Sequence, residues 1–336
     1  NRPEINLEIV DILDKTNALF RFDYTIGYTF LVRNAVALWH FSFWLTEFKA
    51  LRTWTRFIAS LINRINTRGF ASYLMQEQPD YLISTHFLPS EIACRLKIKK
   101  KINSAVITII TDFGVHPFWV CKGTDLYVVA SDFTKERLLA EGVEQEKIKA
   151  FGLPSDAKFL KEFDRRTLAA KLGIDGAKFT VLIMTGSFGI GPLENITGLL
   201  YQEAQVLVVC AANKKLYERM NKINLPNVKV FGYVNNAEEL MAVSDVIITK
   251  PGGSTIAEIL NLELAPIFIS IIPGQESANA GALAEFGVGS SPKDIRRIRD
   301  IILDYKNHPE KLQEIKDNMQ KIKRPFSCQE IAGVIR

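Results

Sequence analysis

The stretch Val246-Ile247-Ile248-Thr249-Lys250-Pro251-Gly252-Gly253-Ser254-Thr255-Ile256-Ala257-Glu258-Ile259-Leu260 changes its periodicity halfway along. Four uncharged β-branched residues in a row describe a strand buried on both faces. A Pro-Gly-Gly turn follows, and then a helix over 256–260. Gly252 and Gly253 let backbone come close to a ligand, and a helix start offers unpaired N–H groups and a positive dipole end, which suit a phosphate. Ser254 or Thr255 is expected to cap this helix. Lys250 adds a charge, and Glu258, one turn in, is placed to reach a ribose diol. A strand–turn–helix with no ligand has the same pattern, so from these residues the loop is a candidate phosphate site and no more.

The same alternation runs through the chain on both sides of this stretch. Short buried runs predict strands over 5–11, 81–85, 105–111, 126–130 and 148–151. A second set is predicted over 180–184, 206–210, 228–231, 246–249 and 267–272. Non-alternating runs separated by helical patterns predict parallel sheets in an α/β architecture of two Rossmann-like domains. Length agrees, since 336 residues exceed what one core usually holds. The break is expected at Gly152-Leu153-Pro154. Residues 1–153 then form one domain and 154–317 the other, with a C-terminal helix over 318–336 completing the first. A polar helix over 158–172 leads into the second set.

In such sheets ligands lie beyond the carboxyl ends of the strands. Two more Gly-rich loops fall there in the second half. Thr185-Gly186-Ser187-Phe188-Gly189-Ile190-Gly191-Pro192 is neither GxGxxG nor a Walker loop, which argues against a dinucleotide or ATP. Pro273-Gly274-Gln275-Glu276-Ser277-Ala278-Asn279 gathers a carboxylate and two amides that can orient a sugar. Three such loops in one domain favour a nucleotide-plus-sugar pocket. In the first half, Asp112-Phe113-Gly114-Val115-His116-Pro117-Phe118-Trp119 follows a strand. Asp112 and His116 beside an exposed-looking Phe118-Trp119 pair suit acid/base chemistry next to an apolar acceptor. The competing reading is a turn-capping Asp with the Trp packed under it. His86 is a lesser candidate, His40 reads as structural and His308 as a surface residue. No Asp-x-Asp occurs, so no carboxylate-bound metal is expected. The cysteines Cys94, Cys121, Cys210 and Cys328 are too scattered for a zinc knuckle or a disulfide frame.

Charge is concentrated in one place. Residues 20–70 hold seven basic side chains (Arg21, Arg33, Lys49, Arg52, Arg56, Arg64, Arg68) against Asp23 and Glu47, which accounts for the whole chain's net +5. The segment also carries Trp39, Trp44 and Trp54. Phe41, Trp44, Phe48, Leu51, Ile58, Leu61 and Ile65 recur at helical spacing with Arg52, Arg56, Arg64 and Arg68 on the other side. That segregation describes a helix lying on an anionic membrane surface, or else a core-packed helix with a solvated arginine face. Nucleic acid is disfavoured, because stacking and phosphate tracking need basic and aromatic groups on one surface. The longest stretches free of Asp, Glu, Lys and Arg are 179–193 and 34–46, too short to span a bilayer. The run Arg95, Lys97, Lys99, Lys100, Lys101 reads as a solvated helix end.

The motifs 111–119, Gly152-Leu153-Pro154, Thr249-Lys250-Pro251-Gly252-Gly253 with Glu258, and Pro273-Gly274-Gln275-Glu276 with Asn279, taken in order, resemble the monogalactosyldiacylglycerol synthase and processive diacylglycerol glucosyltransferase family. The resemblance extends over essentially the whole chain, including Val10-Asp11-Ile12-Leu13-Asp14. It implies an inverting glycosyltransferase of the GT-B fold, with two facing Rossmann-like domains, no cofactor and no metal. The donor, UDP-galactose or UDP-glucose, would lie on the second domain. Gly232, Tyr233 and Val234 would hold the uracil and Glu258 the ribose. Lys250, Pro251, Gly252, Gly253, Ser254 and Thr255 would hold the diphosphate with Gly186 and Ser187 nearby, and Gln275, Glu276 and Asn279 the sugar. His116, Phe118 and Trp119 would face the acceptor, diacylglycerol, with Trp39, Trp44, Trp54, Arg52 and Arg56 on the anionic membrane.

The implied location is peripheral, on the cytoplasmic face of a bacterial inner membrane or on a plastid envelope. The family's N-terminal Gly-rich loop with its His has no match, so the expectation is a chain lacking the first strand and helix. After Gly-Leu-Pro the family has a small residue, Arg and Pro, where this chain has Ser155, Asp156 and Ala157. Asp156 beside a diphosphate would weaken donor binding by repulsion. Two other readings stand beside the transferase: a non-catalytic nucleotide or lipid binder of the same fold, and a soluble UDP-sugar epimerase.

Overall fold

A computed structural model describes residues 5–27, 52–272 and 274–335. Trp39, His40 and Trp44 lie outside them, as do the side chains of Arg52 and Arg56. Contacts divide the chain into two compact units. The first comprises Asn1–Thr111 and Val115–Ala150, and the second Asp112–Gly114 together with Phe151–Val334. The C-terminal helix Ser327–Gly333 thus falls in the second unit, where Ser327 Oγ donates to the Leu153 carbonyl at 3.0 Å.

The first unit is built on four parallel strands in the order β1 (Tyr81–Ser84), β2 (Ala105–Ile109), β3 (Leu126–Val128) and β4 (Ile148–Lys149). Residues 5–11, expected as a strand, are not one. Ile5, Leu7 and Ile9 are exposed, and none of the described segments pairs with that backbone. The alternation of Ile5, Leu7 and Ile9 with Asn6 and Glu8 makes a strand only where a neighbouring strand completes its hydrogen bonds. Val10, Ile12 and Leu13 instead pack beside the Arg68–Glu77 helix and its buried Phe70 and Leu74.

The second unit has five parallel strands: β5 (Thr180–Met184), β6 (Gln205–Val209), β7 (Val228–Phe231), β8 (Val246–Thr249) and β9 (Ala265–Phe268), in the spatial order β7-β6-β5-β8-β9. The expected helix over 158–172 is divided. Asp156 caps a short 3-10 turn, Ala157–Leu160, and Asp164 caps a new helix, Arg165–Leu172. Two N-capping aspartates eight residues apart each start an element of their own. β9 begins earlier than expected because Pro266 is tolerated in an edge strand, where the donor it lacks is not missed.

At the amino ends of these strands Asp245 ties the sheet to its helices. It accepts a bidentate pair from Arg165 at 2.7 and 2.9 Å and the Thr180 N–H at 2.7 Å. Gln205 extends the network to Thr180 Oγ1 at 2.9 Å and to the Asp175 N–H. Asp245→Ala takes both carboxylate bonds from a part-buried guanidinium, which keeps only the Gly176 and Lys178 carbonyls, and removes the acceptor of the Thr180 N–H. We expect a loss of about 3 kcal/mol in urea unfolding; a loss below about 1 kcal/mol would show that this junction is not structural.

Candidate active site

The strand order reverses between β5 and β8, and the loops leaving those two strands flank the crevice where open α/β sheets take ligands. After β5, the turn 185–192 is pinned from the side: Ala212 N–H donates to the Ser187 carbonyl and Asn213 Nδ2 to the Gly189 carbonyl. Gly189 has φ +55°, and a Cβ there would lie 2.1 Å from the Cys210 carbonyl oxygen, so only glycine fits. Gly186, Ser187 and Phe188 remain exposed, while Thr185 Oγ1 is buried with no partner among the described residues.

After β8 the helix runs Gly253–Leu262, starting earlier than its apolar pattern suggested. Gly252 is its N-cap, and no side chain caps it. The expected caps, Ser254 and Thr255, lie inside the first turn, past the position from which a side chain reaches back to the free N–H groups. Those donors therefore keep the positive end of the helix open to an anion.

Glu258 stands one turn into this helix. Burial pushes its carboxyl up to about 7, against the opposing pull of Lys158, with Asp156 and Glu238 adding to the rise. Lys158 Nζ lies 3.1 Å from Glu238 Oε2 and donates to the Asn235 carbonyl at 3.2 Å, just beyond Gly232, Tyr233 and Val234 at the end of β7. Asp156 is occupied as a cap, accepting the Lys158 N–H at 3.0 Å. Its charge bears on Glu258, the ribose candidate. Lys158 and Glu238 were not singled out from the sequence, because no spacing links them to Glu258.

The loop after β9 leads into the helix Gln275–Glu285. Glu276 accepts the Ile272 N–H at 2.8 Å. Burial raises its carboxyl, the Ile272 bond and Lys250 oppose that, and Asp112 adds to it. Asn279, expected to hold a sugar, is 1% exposed, and both ends of its amide are engaged inside the protein. Its Oδ1 accepts the Phe113 N–H at 2.7 Å, and its Nδ2 donates to Asp112 Oδ1 and the Pro251 carbonyl, each at 3.0 Å. Asn279 thus fixes three loops relative to one another: 112–114, 250–252 and its own. Gly114 supports this, since a Cβ on it would lie 2.5 Å from Ala278 Cβ. Burial raises the Asp112 carboxyl, and the Asn279 bond opposes the rise.

In the first unit the exposed-looking Trp119 is 1% exposed and packs with Ile110, Tyr127, Val129, Leu138 and Ile148. The short turn Pro117–Trp119 directs the indole inward, so the packed alternative holds for this residue; Phe118 remains partly exposed. His116 Nδ1 accepts the Phe118 N–H at 3.2 Å, capping that turn. His86 Nδ1 likewise accepts the Leu88 N–H at 3.2 Å, and burial pushes its pKa down to about 4, which makes it a neutral cap at physiological pH. His308 is exposed beside Glu310.

The helix Arg52–Asn66 is inverted relative to an ordinary surface helix. Trp54, Phe57, Ile58, Leu61, Ile62 and Ile65 form one stripe and are all 48–67% exposed, whereas Asn63 is buried at 9%. Asn63 Nδ2 donates to Glu91 Oε2 at 2.7 Å and Asn66 pairs with Asn17. Polar side chains therefore hold the helix to the first unit and its apolar stripe points away. Among the described residues no helix is long and apolar enough to cross a membrane, and no group of three His, Cys, Asp or Glu is placed to hold a metal.

The comparisons with known proteins agree on ancestry. The family model for monogalactosyldiacylglycerol (MGDG) synthase matches residues 2–154, and that for the glycosyltransferase family 28 C-terminal domain matches residues 180–326. A processive diacylglycerol beta-glucosyltransferase of Staphylococcus epidermidis is 31% identical over 304 residues, 86% of this chain and 77% of the relative. A probable chloroplastic monogalactosyldiacylglycerol synthase of Glycine max is 35% identical over 319 residues, 89% of this chain and 59% of the relative. Among solved structures, MurG of Acinetobacter baumannii superposes with a TM-score of 0.59 at 15% identity, covering 82% of this chain and 79% of its own. A UDP-GlcNAc 2-epimerase of Neisseria meningitidis gives 0.58 at 14%, covering 80% and 79%. Transferases and an epimerase share this fold, so the fold alone does not separate the two activities, whereas the sequence relatives do.

The Glu258 geometry generates a pH prediction. A carboxyl whose folded pKa is raised binds its proton more tightly folded than unfolded, so stability falls as pH rises from about 4.5 to about 7. The contribution is no more than ~3 kcal/mol. Glu258→Gln should flatten this part of the stability–pH curve and be the more stable form at pH 8. Identical curves for parent and variant would refute a buried, titrating Glu258.

By sequence relatives and fold together, the chain belongs to the monogalactosyldiacylglycerol synthase and processive diacylglycerol glucosyltransferase family, glycosyltransferases of the GT-B fold that make glycolipids.

Proposed function

We propose that this protein works at a membrane surface, transferring galactose or glucose from a UDP-sugar to diacylglycerol with inversion. The observation that carries the reading is the inverted helix Arg52–Asn66. A stripe of six large apolar side chains facing outward is unfavourable in water and favourable against lipid, and diacylglycerol is found only in lipid. Arg64 and Arg68, both exposed, supply attraction to anionic headgroups.

The donor side rests on the second unit. The open helix start at Gly252–Thr255, with Lys250, takes the diphosphate, and Glu258 takes the ribose hydroxyls. Backbone at Gly232–Val234 takes the uracil, and Gln275 and Glu276 the sugar. In the reaction the diacylglycerol hydroxyl oxygen attacks the anomeric carbon from the side opposite the diphosphate. The bond from that carbon to the phosphate oxygen breaks, UDP leaves with the electron pair, and the hydroxyl proton passes to a base. One displacement inverts the centre, and the helix start stabilises the charge gathering on the departing phosphate. Asp112, whose proton affinity burial raises, and His116 are the candidates for the base.

Two experiments test the two halves. UDP should bind and raise the melting temperature without added magnesium. Glu258→Ala should weaken that binding by roughly 1–3 kcal/mol by calorimetry, and unchanged affinity would remove Glu258 from the site. Replacing Trp54, Phe57 and Leu61 together by Ser should abolish flotation with anionic diacylglycerol liposomes while leaving the melting temperature within a few degrees, since exposed positions contribute little to folding. A variant that still floats, or one that unfolds, would overturn the lipid-facing reading of the stripe.

A further inference from the structure

Three side-chain atoms in the first unit are buried and lack a hydrogen-bond partner among the described residues: Glu91 Oε1, Arg95 Nη1 and Trp119 Nε1. Phe87, Glu91 and Arg95 recur one turn apart on a single face of the helix Phe87–Ile98. The Trp119 ring lies 5.9 Å from Phe87 and 6.2 Å from His86, at the head of that face where β1 ends. Glu91 is held from the other side, its Oε2 accepting Asn63 Nδ2 at 2.7 Å. Asn63 belongs to the helix whose opposite face carries the exposed apolar stripe.

The unmatched atoms are of opposite kinds. A carboxylate oxygen lacks a donor, while a guanidinium N–H and an indole N–H lack acceptors. A ligand that completes the set brings one O–H and at least one acceptor oxygen, which is the hydrogen-bonding inventory of a glycerol ester with one free hydroxyl. We propose that Glu91 and Arg95 bind the hydroxyl-and-ester end of diacylglycerol directly behind the helix Arg52–Asn66. This rests on the acceptor class given under Proposed function and names residues for it. Arg95 has Glu91 and Arg64 as its charged neighbours, and Tyr24 has Glu91 and Asp23, so Glu91 is the negative centre of the cluster.

The test uses the whole chain and dioctanoylglycerol, a water-dispersible acceptor. The KM for dioctanoylglycerol should rise about tenfold or more in Glu91→Gln and Arg95→Met, with kcat changed less. Tenfold corresponds to the loss of about 1.4 kcal/mol, in the range of one hydrogen bond to a charged group. Glu91→Asp should recover part of the loss, and the affinity for UDP should be the same in all four proteins. An unchanged KM in a folded Glu91→Gln would mean that ordered water fills the cluster, and would overturn the proposal. For any variant that does not fold, the parent gives the answer: dioctanoylglycerol should slow amide hydrogen exchange across residues 87–98, and unchanged exchange there overturns the site. A parent that transfers sugar to no diacylglycerol, yet shows this protection, would instead place the failure in the proposed reaction.

Discussion

Parallel pairing is the constraint on which the rest of this molecule depends. Because β5 to β9 all run the same way, every loop leaving a carboxyl end emerges on one edge of the sheet, however distant in sequence. The turns after β5 and β8 become neighbours at the point where strand order reverses, and the open helix start at Gly252 lies there. The Asp245 network lies at the opposite edge, where the amino ends of β5 and β8 meet the Arg165–Leu172 helix.

Within that edge, two residues divide the work. Asn279 is wholly engaged in joining loops, so its burial and its hydrogen bonds serve position. Glu258 has no such partners among the described residues, and burial raises its proton affinity. A part-buried carboxyl is costly to ionise, and ligand hydroxyls would relieve that cost. The first unit shows the same contrast on a larger scale. Apolar side chains of the Arg52–Asn66 helix face out and Asn63 faces in, the reverse of what water alone selects.

The sequence by itself determined four strands of the second sheet to within a residue, because buried parallel strands are unbroken apolar runs, whereas β9 starts two residues and ends four residues before the expected run. It also determined the family, through motifs whose order is fixed by covalent connectivity. It could not determine that residues 5–11 would remain unpaired, since a strand is defined by its neighbour. Nor could it tell an inward Trp119 from an exposed one, because three residues of turn decide which way an indole points. Glu91 was not singled out, and Arg95 read as part of a solvated helix end, whereas its Nη1 is buried and Asn63, 28 residues before Glu91, is bonded to that carboxylate. The apolar stripe of residues 54–65 was legible, but its direction was not. A periodic pattern says which residues share a face, and only the tertiary packing says whether that face meets a core or is left for another surface.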